Sequence, residues 1–241
     1  TDTEKIFPLF KQAVWKLPVV KGIAGSELGL GEHGGWSRTG FNYNGKQKDV
    51  WTYTIDHEFL GVTGIQLVAG RNFDPAIASH SIHSFIVNEA KVKNCGWTLE
   101  NAIGQTLPEF SEDRKPVVIG VVKDFNFRSF HEAVTPQLFH LFSRGNLPYK
   151  YFVRIQAGNP ATALAGLQNA WSSVAPGLPF NYSFLDENLA RFYDRESRWT
   201  RIVAWAGSIS IFLAALGFSG LRALAVVNRT KEIGNRKVLG A

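Results

Sequence analysis

Apolar positions along the first half of the chain change period several times, and each change marks an element. From Glu4 to Leu17, Ile6, Phe10, Ala13, Val14 and Leu17 share one helical face, with Pro8 in the first turns and Pro18 as the stop. Val19–Glu27 reads as a strand, and the glycine-rich stretch from Gly29 to Gly45 as a loop or irregular hairpin. Val50–Ile55 predicts a strand, His57–Val62 a short helix ahead of Gly64, and Gly70–Pro75 a turn. Phe85–Val87 begins another strand, after which Asn88 caps a helix running through Asn94. The β-branched run Val117–Val122 is a buried strand, followed by Leu138–Phe142 and Tyr151–Ile155. Asn159-Pro160 opens a helix with Leu164, Leu167, Trp171 and Val174 inward; Pro176–Pro179 ends it, and Phe180–Leu185 is expected to return as a strand.

These elements predict an α+β fold. Strand–helix–strand at 151–185 combines with helix–strand at 4–27 into a split βαβ sheet with helices on one face, and about 67–145 forms an inserted, β-rich subdomain. From Asn188 the pattern is helical, and Ile202–Leu221 carries no charged residue. Twenty helical residues span about 30 Å, the thickness of bilayer hydrocarbon. A long helix is therefore expected to leave the folded domain and enter a membrane, with Tyr193, Trp199 and Trp205 as an interfacial belt. The expected organisation is a domain over 1–196, a transmembrane helix over 197–228 and a flanking segment over 229–241.

Composition narrows the reading. Of 241 residues, 45% are hydrophobic, enough for a real core. No methionine occurs, so the chain is expected to be a segment of a longer protein. The net charge of +6 is scattered, and its densest cluster, Arg229, Lys231, Arg236 and Lys237, directly follows the apolar run. That placement suits a membrane flank and argues against nucleic acid as a partner. Arg191, Arg195, Arg198 and Arg201 precede the run, so charge alone does not orient it. Arg222 stands just beyond it, either at an interface or facing a bundle interior. Cys95 is the single cysteine, which excludes an intramolecular disulfide.

Candidate chemistry is sparse. Gly29-Leu-Gly-Glu-His-Gly34 matches G-x-G-x-x-G, but Gly35–Gly40 cannot begin the helix that would hold a pyrophosphate, so no cofactor is expected. The histidines His33, His57, His80, His83, His131 and His140 lack metal-ligand spacing, and no metal is expected. Asp56, Glu58 and Asp124 form no paired-carboxylate pattern, and Asp186-Glu187 suits the start of the long helix. No catalytic residue is assigned. Ala206, Ser210 and Ala214 make a small-x-x-x-small row on which another transmembrane helix can pack.

The terminal run Arg229-Thr-Lys-Glu-Ile-Gly-Asn-Arg-Lys-Val-Leu-Gly-Ala241 resembles the segment after the second transmembrane helix of FtsX-like ABC transporter permeases. Phe85-Ile-Val-Asn-Glu-Ala90, Asn101-Ala-Ile-Gly-Gln105, Val118–Phe127 and Phe184-Leu-Asp-Glu187 resemble the MacB-like periplasmic core domain of the same permeases. The resemblance implies that residues 1–196 are periplasmic or otherwise extracytoplasmic, with a porter-like part and a β-rich insert, in the inner membrane of a bacterium. It implies a cytoplasmic ATPase that contacts Arg229, Lys231, Glu232, Ile233, Arg236 and Lys237. It also implies a dimeric assembly with other permease helices, and a periplasmic partner or cargo that the sequence does not name. Asn235 departs from the apolar residue common there. The leading reading is a non-catalytic permease segment; the rivals are a membrane-anchored sensor or scaffold and a tethered enzyme.

Overall fold

Apolar side chains at every second position need a pleated surface with two covered faces, and eight strands provide it. The computed structural model describes residues 3–30, 37–43, 45–77, 83–107, 116–125, 134–143 and 147–238, without the side chains of 3–4, 188–198, 200, 227–228 and 230–238. The strands are β1 (Val20–Ser26), β2 (Ser37–Tyr43), β3 (Lys46–Ile55), β4 (Leu67–Gly70), β5 (Ser84–Asn88), β6 (Val117–Val122), β7 (Gln137–Leu141) and β8 (Lys150–Ile155). They form one mixed sheet in the order β4-β6-β5-β7-β3-β1-β8, with β2 pairing β3 off this path. The pairs β3–β7 and β5–β6 are parallel and the others antiparallel. The 67–145 segment supplies β4–β7 and so forms one end of this sheet.

Alternation assigns the faces. Ala24, Tyr53, Ile55, Ile86 and Phe139 meet on one face, where the one-turn α2 (Phe59–Thr63) adds Phe59 and Leu60. Tyr53 lies opposite Phe139 in the parallel ladder, and their rings stack at 5.2 Å. The intervening residues point the other way. There Val50, Val87 and Leu138 bury Val92 of α3 (Glu89–Cys95), beside Ala102 of α4 (Leu99–Ala102). At the far end Ile23 and Val153 pack on α1 (Thr3–Trp15) and α5 (Pro160–Val174) through Phe10, Val14 and Leu167. Phe10 meets Trp171 edge-to-face at 5.3 Å.

The sequence pattern marks no strand at β4 and leaves β2 within the stretch read as a loop or irregular hairpin. In β2 only Phe41 is buried, so it shows little alternation, yet it pairs with β3 along its whole length. β4 is an edge strand with exposed Leu67 and Val68. The strand expected at Phe180–Leu185 is absent. Residues 179–184 carry no ladder, although Phe180, Tyr182 and Phe184 keep the period of two, with ring centroids 5.8 and 5.9 Å apart.

Contacts divide the chain into Thr1–Leu189 and Ala190–Ala241. The last helix, α6 (Leu185–Val238), begins in the first unit and continues through the second. All three apolar clusters lie in the first, so a 1–196 fragment is expected to unfold in one cooperative urea transition. Gly70 has φ +72°, and an added Cβ would lie 2.3 Å from the Ile119 carbonyl oxygen. Gly70→Ala should therefore lower the fragment's stability by roughly 2 kcal/mol or more, read from the same transition.

Candidate functional site

The upstream motifs converge at one joint of the sheet. β5 ends at Asn88, a fully buried residue whose Oδ1 accepts from Lys91 N (3.0 Å) and Gln137 N (2.8 Å), while its Nδ2 donates to Thr135 O (3.0 Å). One side chain thus caps α3 and holds the entry to β7. Glu89 Oε2 accepts from Asp124 N at 2.9 Å, and Asp124 Oδ1 from Ala90 N at 2.8 Å. These two carboxylates, one inside each upstream motif, clamp the exit of β6 to the start of α3. Asn101 closes a capping box with Thr98, and backbone bonds of Gly104 and Gln105 with Val118 complete the bridge to β6. Gln105 O accepts from Val118 N at 2.9 Å, and Gly104 N donates to Val118 O at 2.9 Å. These motif residues hold the fold together.

Other ionisable groups have similar work. Asp56 accepts from Gly25 N (2.8 Å) and Glu58 N (3.1 Å), and burial pushes its carboxyl above the usual carboxylate range. Lys11 of α1 pairs with Glu58, tying that helix to the α2 turn. His140 Nε2 lies 3.4 Å from Thr54 Oγ1, which also bonds Glu27, and His140 Nδ1 is 3.2 Å from Leu141 O. Burial lowers the His140 pKa below its ordinary value of 6.5, against opposing effects of the Leu141 carbonyl and Glu27. His57 lies 3.8 Å from Glu58 Oε1. His33, His80 and His131 lie outside the described residues, as does most of the Gly29–Gly34 motif. Among the described residues, no three His, Cys, Asp or Glu side chains gather as a metal site.

The second unit contains an apolar span, Arg201–Val226, of 26 residues, within which an 18-residue stretch has mean hydropathy 1.9 and is not buried. A soluble core helix of that composition would be covered by its own protein, and a leader would stand at the N-terminus. Arg201 and Arg222 bracket about 30 Å of charge-free helix. Arg222 stacks on Phe218, one turn earlier, with Cζ 4.6 Å from the ring centroid. Ala206, Ser210 and Ala214 are all exposed, and Ser210 Oγ donates to Ala206 O at 2.9 Å, so the hydroxyl is satisfied within the helix. At 100° per residue Gly207 and Gly217 fall beside them, while Trp205, Ile209, Phe212 and Leu216 fall on the opposite side. The sequence reading missed these two glycines because it followed a strict four-residue spacing.

Backbone helix continues through Val238. Arg229 is exposed; the side chains of Lys231, Glu232, Ile233, Arg236 and Lys237 lie outside the described residues.

The chain is similar to three solved structures. The periplasmic region of MacB from Actinobacillus actinomycetemcomitans aligns at 18% identity over 68% of this chain and 72% of that one, with a TM-score of 0.49. A domain of a putative permease protein from Porphyromonas gingivalis aligns at 20% identity over 66% and 68%, with a TM-score of 0.44. The extracellular domain of the noncanonic ABC-type transporter YknZ from Gram-positive bacteria aligns at 16% identity over 71% and 82%, with a TM-score of 0.49. No protein-family model matches the chain, and no curated protein matches it.

Two outcomes follow from the joint and the buried imidazole. Asn88→Ala leaves Gln137 N and Thr135 O without their partner and uncaps α3, and should cost roughly 2–3 kcal/mol in urea unfolding of the 1–196 fragment. His140 titrates lower in the fold than in the unfolded chain, so between its folded pKa and 6.5 the unfolded state binds more protons. Stability should therefore fall as pH drops through that window. His140→Gln should remove this slope, measured as the urea midpoint against pH.

Proposed function

We propose that this chain is part of an ABC transporter permease: an extracytoplasmic domain, one membrane-spanning helix and the start of a segment that engages a cytoplasmic ATPase. The observation that carries the reading is the junction at residue 226. There an uncovered, membrane-length apolar helix passes directly into Arg229–Ala241, the run that resembles the permease family. Support comes also from the ionisable groups of the first unit, which serve as caps and clamps instead of converging on a reactive centre. The role is mechanical: the ATPase displaces the segment around Glu232–Lys237, and the helix conveys that displacement towards the extracytoplasmic side. A 54-residue helix without proline suits this task.

Within the bilayer, the side bearing Ala206, Ser210 and Ala214 is proposed to seat a neighbouring permease helix, since small side chains let backbones approach closely. The dimeric assembly, the inner-membrane location and an extracytoplasmic partner or cargo belong to the same proposal. On the cytoplasmic side, Arg229, Ile233, Arg236 and Lys237 are spaced at i, i+4, i+7 and i+8, which places them on one helical face. Ile233 is the apolar anchor in this arrangement, with Lys231, Glu232 and the basic residues orienting it.

Ile233→Asp tests the reading in the full-length permease. It keeps every basic residue that could hold the helix end at anionic lipid. Membrane insertion should be unchanged, while co-purification of the ATPase falls at least about tenfold, as expected for loss of a central apolar anchor. Wild-type retention of the ATPase would refute the coupling role and favour a membrane-anchored sensor.

A further inference from the structure

The free edges of the sheet differ in how well they resist a further strand. β4 is four residues long with a register shift between Leu67 and Ala69, and β8 carries exposed Lys150 and Arg154. Short length, an irregular register and edge charges all discourage pairing. β2 lacks these devices. It runs seven residues without a register shift, from Ser37 opposite Thr52 to Tyr43 opposite Lys46, and contains no proline. Among the described residues it pairs only with β3. Its one charge, Arg38, is held over its own sheet by an ion pair with Asp49 and lies 5.9 Å from the centroid of the Trp51 ring.

The hydrogen bonds of β3 fix which backbone groups of β2 face outward. Trp51 N donates to Pro136 O at 2.9 Å, on the β7 side, so Arg38, opposite Trp51, makes no ladder bonds to β3. Ser37 O, by contrast, faces β3, where it accepts from Thr52 Oγ1 at 3.2 Å. Alternation then turns the N–H and C=O of Arg38, Gly40 and Asn42 to the free edge, and all three residues are exposed. A two-fold axis at Gly40 would set this edge antiparallel to itself, Gly40 against Gly40 and Arg38 against Asn42 of the second copy. Each of the three residues then both donates and accepts. No other register of β2 against itself pairs all three within the strand. The two Arg38 side chains stand roughly 14 Å apart along the strands, each opposite a neutral amide.

We propose that the outer edge of β2 is an interface with a second copy of this chain, paired antiparallel about a two-fold axis at Gly40. The inference deepens the dimeric part of the reading above and rests on it. Its test reads the strand edge and not the ATPase, so either can fail without the other.

The test is hydrogen exchange of segment 37–43 in the full chain, diluted stepwise in detergent micelles, with segment 50–55 as the control for the fold. Exchange of 37–43 should slow as protein concentration rises, while that of 50–55 stays constant. Gly40→Pro removes the outward N–H at the axis without taking a bond from β3, and an added Cβ there meets only the ends of the Gln47 side chain, at 2.9 Å, and of Asp49, at 3.5 Å. It should raise the dimer dissociation constant at least about tenfold, with 50–55 still protected. Asn42→Arg sets like charges opposite one another and should weaken the dimer about fivefold, whereas Asn42→Asp should tighten it by about the same factor. Asn42 is exposed, so this pair of variants decides even if Gly40→Pro loosens the hairpin. Exchange of 37–43 that ignores concentration, whether fast or slow, would overturn the interface. Concentration dependence that survives Gly40→Pro, or that does not move in opposite directions with the two Asn42 variants, would overturn the pairing through this edge and register.

Discussion

The parallel pairing of β3 with β7 is the contact on which the rest of the first unit depends. Five consecutive pairs, from Trp51 opposite Gln137 to Ile55 opposite Leu141, bring together residues more than eighty positions apart. Closing so long a loop is entropically unfavourable and local hydrogen bonds do not offset it. The stacked rings of Tyr53 and Phe139 on one face, and Val50 with Leu138 on the other, supply the burial that does. Once β7 is placed, β5 pairs with it, β6 follows β5, and Asn88 can reach the amide of Gln137. The joint is thus a consequence of the central ladder and also a lock upon it.

Legibility in the sequence followed the burial of each element on both sides. Val117–Val122 was read with its observed limits because all but its first residue are buried. Asn88 and Asn159 announced their helices because an N-cap side chain acts within three residues, and both accept the expected backbone N–H. β4 was hidden, and β2 left open between loop and irregular hairpin, because their stability comes from a neighbour's backbone and not from their own side chains. The opposite error at Phe180–Leu185 has the same origin: alternation reports a two-sided surface but says nothing about whether a partner strand exists. The Glu89–Asp124 clamp was equally invisible, since residues 35 apart meet only through the β5–β6 pairing. The long apolar helix, by contrast, was legible because length and composition alone mark it; its apolar part covers Arg201–Val226, narrower than the 197–228 expected for a span.

The two units use the same residue types in opposite ways. In the first, Phe59, Ile86, Leu138 and their neighbours are wholly buried. In the second, twelve large apolar side chains between Ile202 and Val226 are exposed. At about 1.5–3 kcal/mol for each such side chain, leaving them in water would forgo roughly 20–35 kcal/mol. That exceeds the net stability of a whole domain, about 5–15 kcal/mol. A bilayer removes this cost without any further protein contact. The hydroxyls of Ser208, Ser210 and Ser219 each donate to the carbonyl four residues earlier, so they would need no other partner in hydrocarbon.

The motifs that resemble the permease family therefore carry two different kinds of information. Asn88, Glu89, Asn101, Gln105 and Asp124 each bond backbone groups of their own domain, so their chemistry explains a shape. The Arg229–Ala241 run follows the apolar span and alternates charge with isolated apolar residues at helical spacing. An isoleucine at such a position contributes to burial only where something covers it. The upstream motifs are accounted for within the chain, whereas Ile233 and its charged neighbours are proposed to act against another surface.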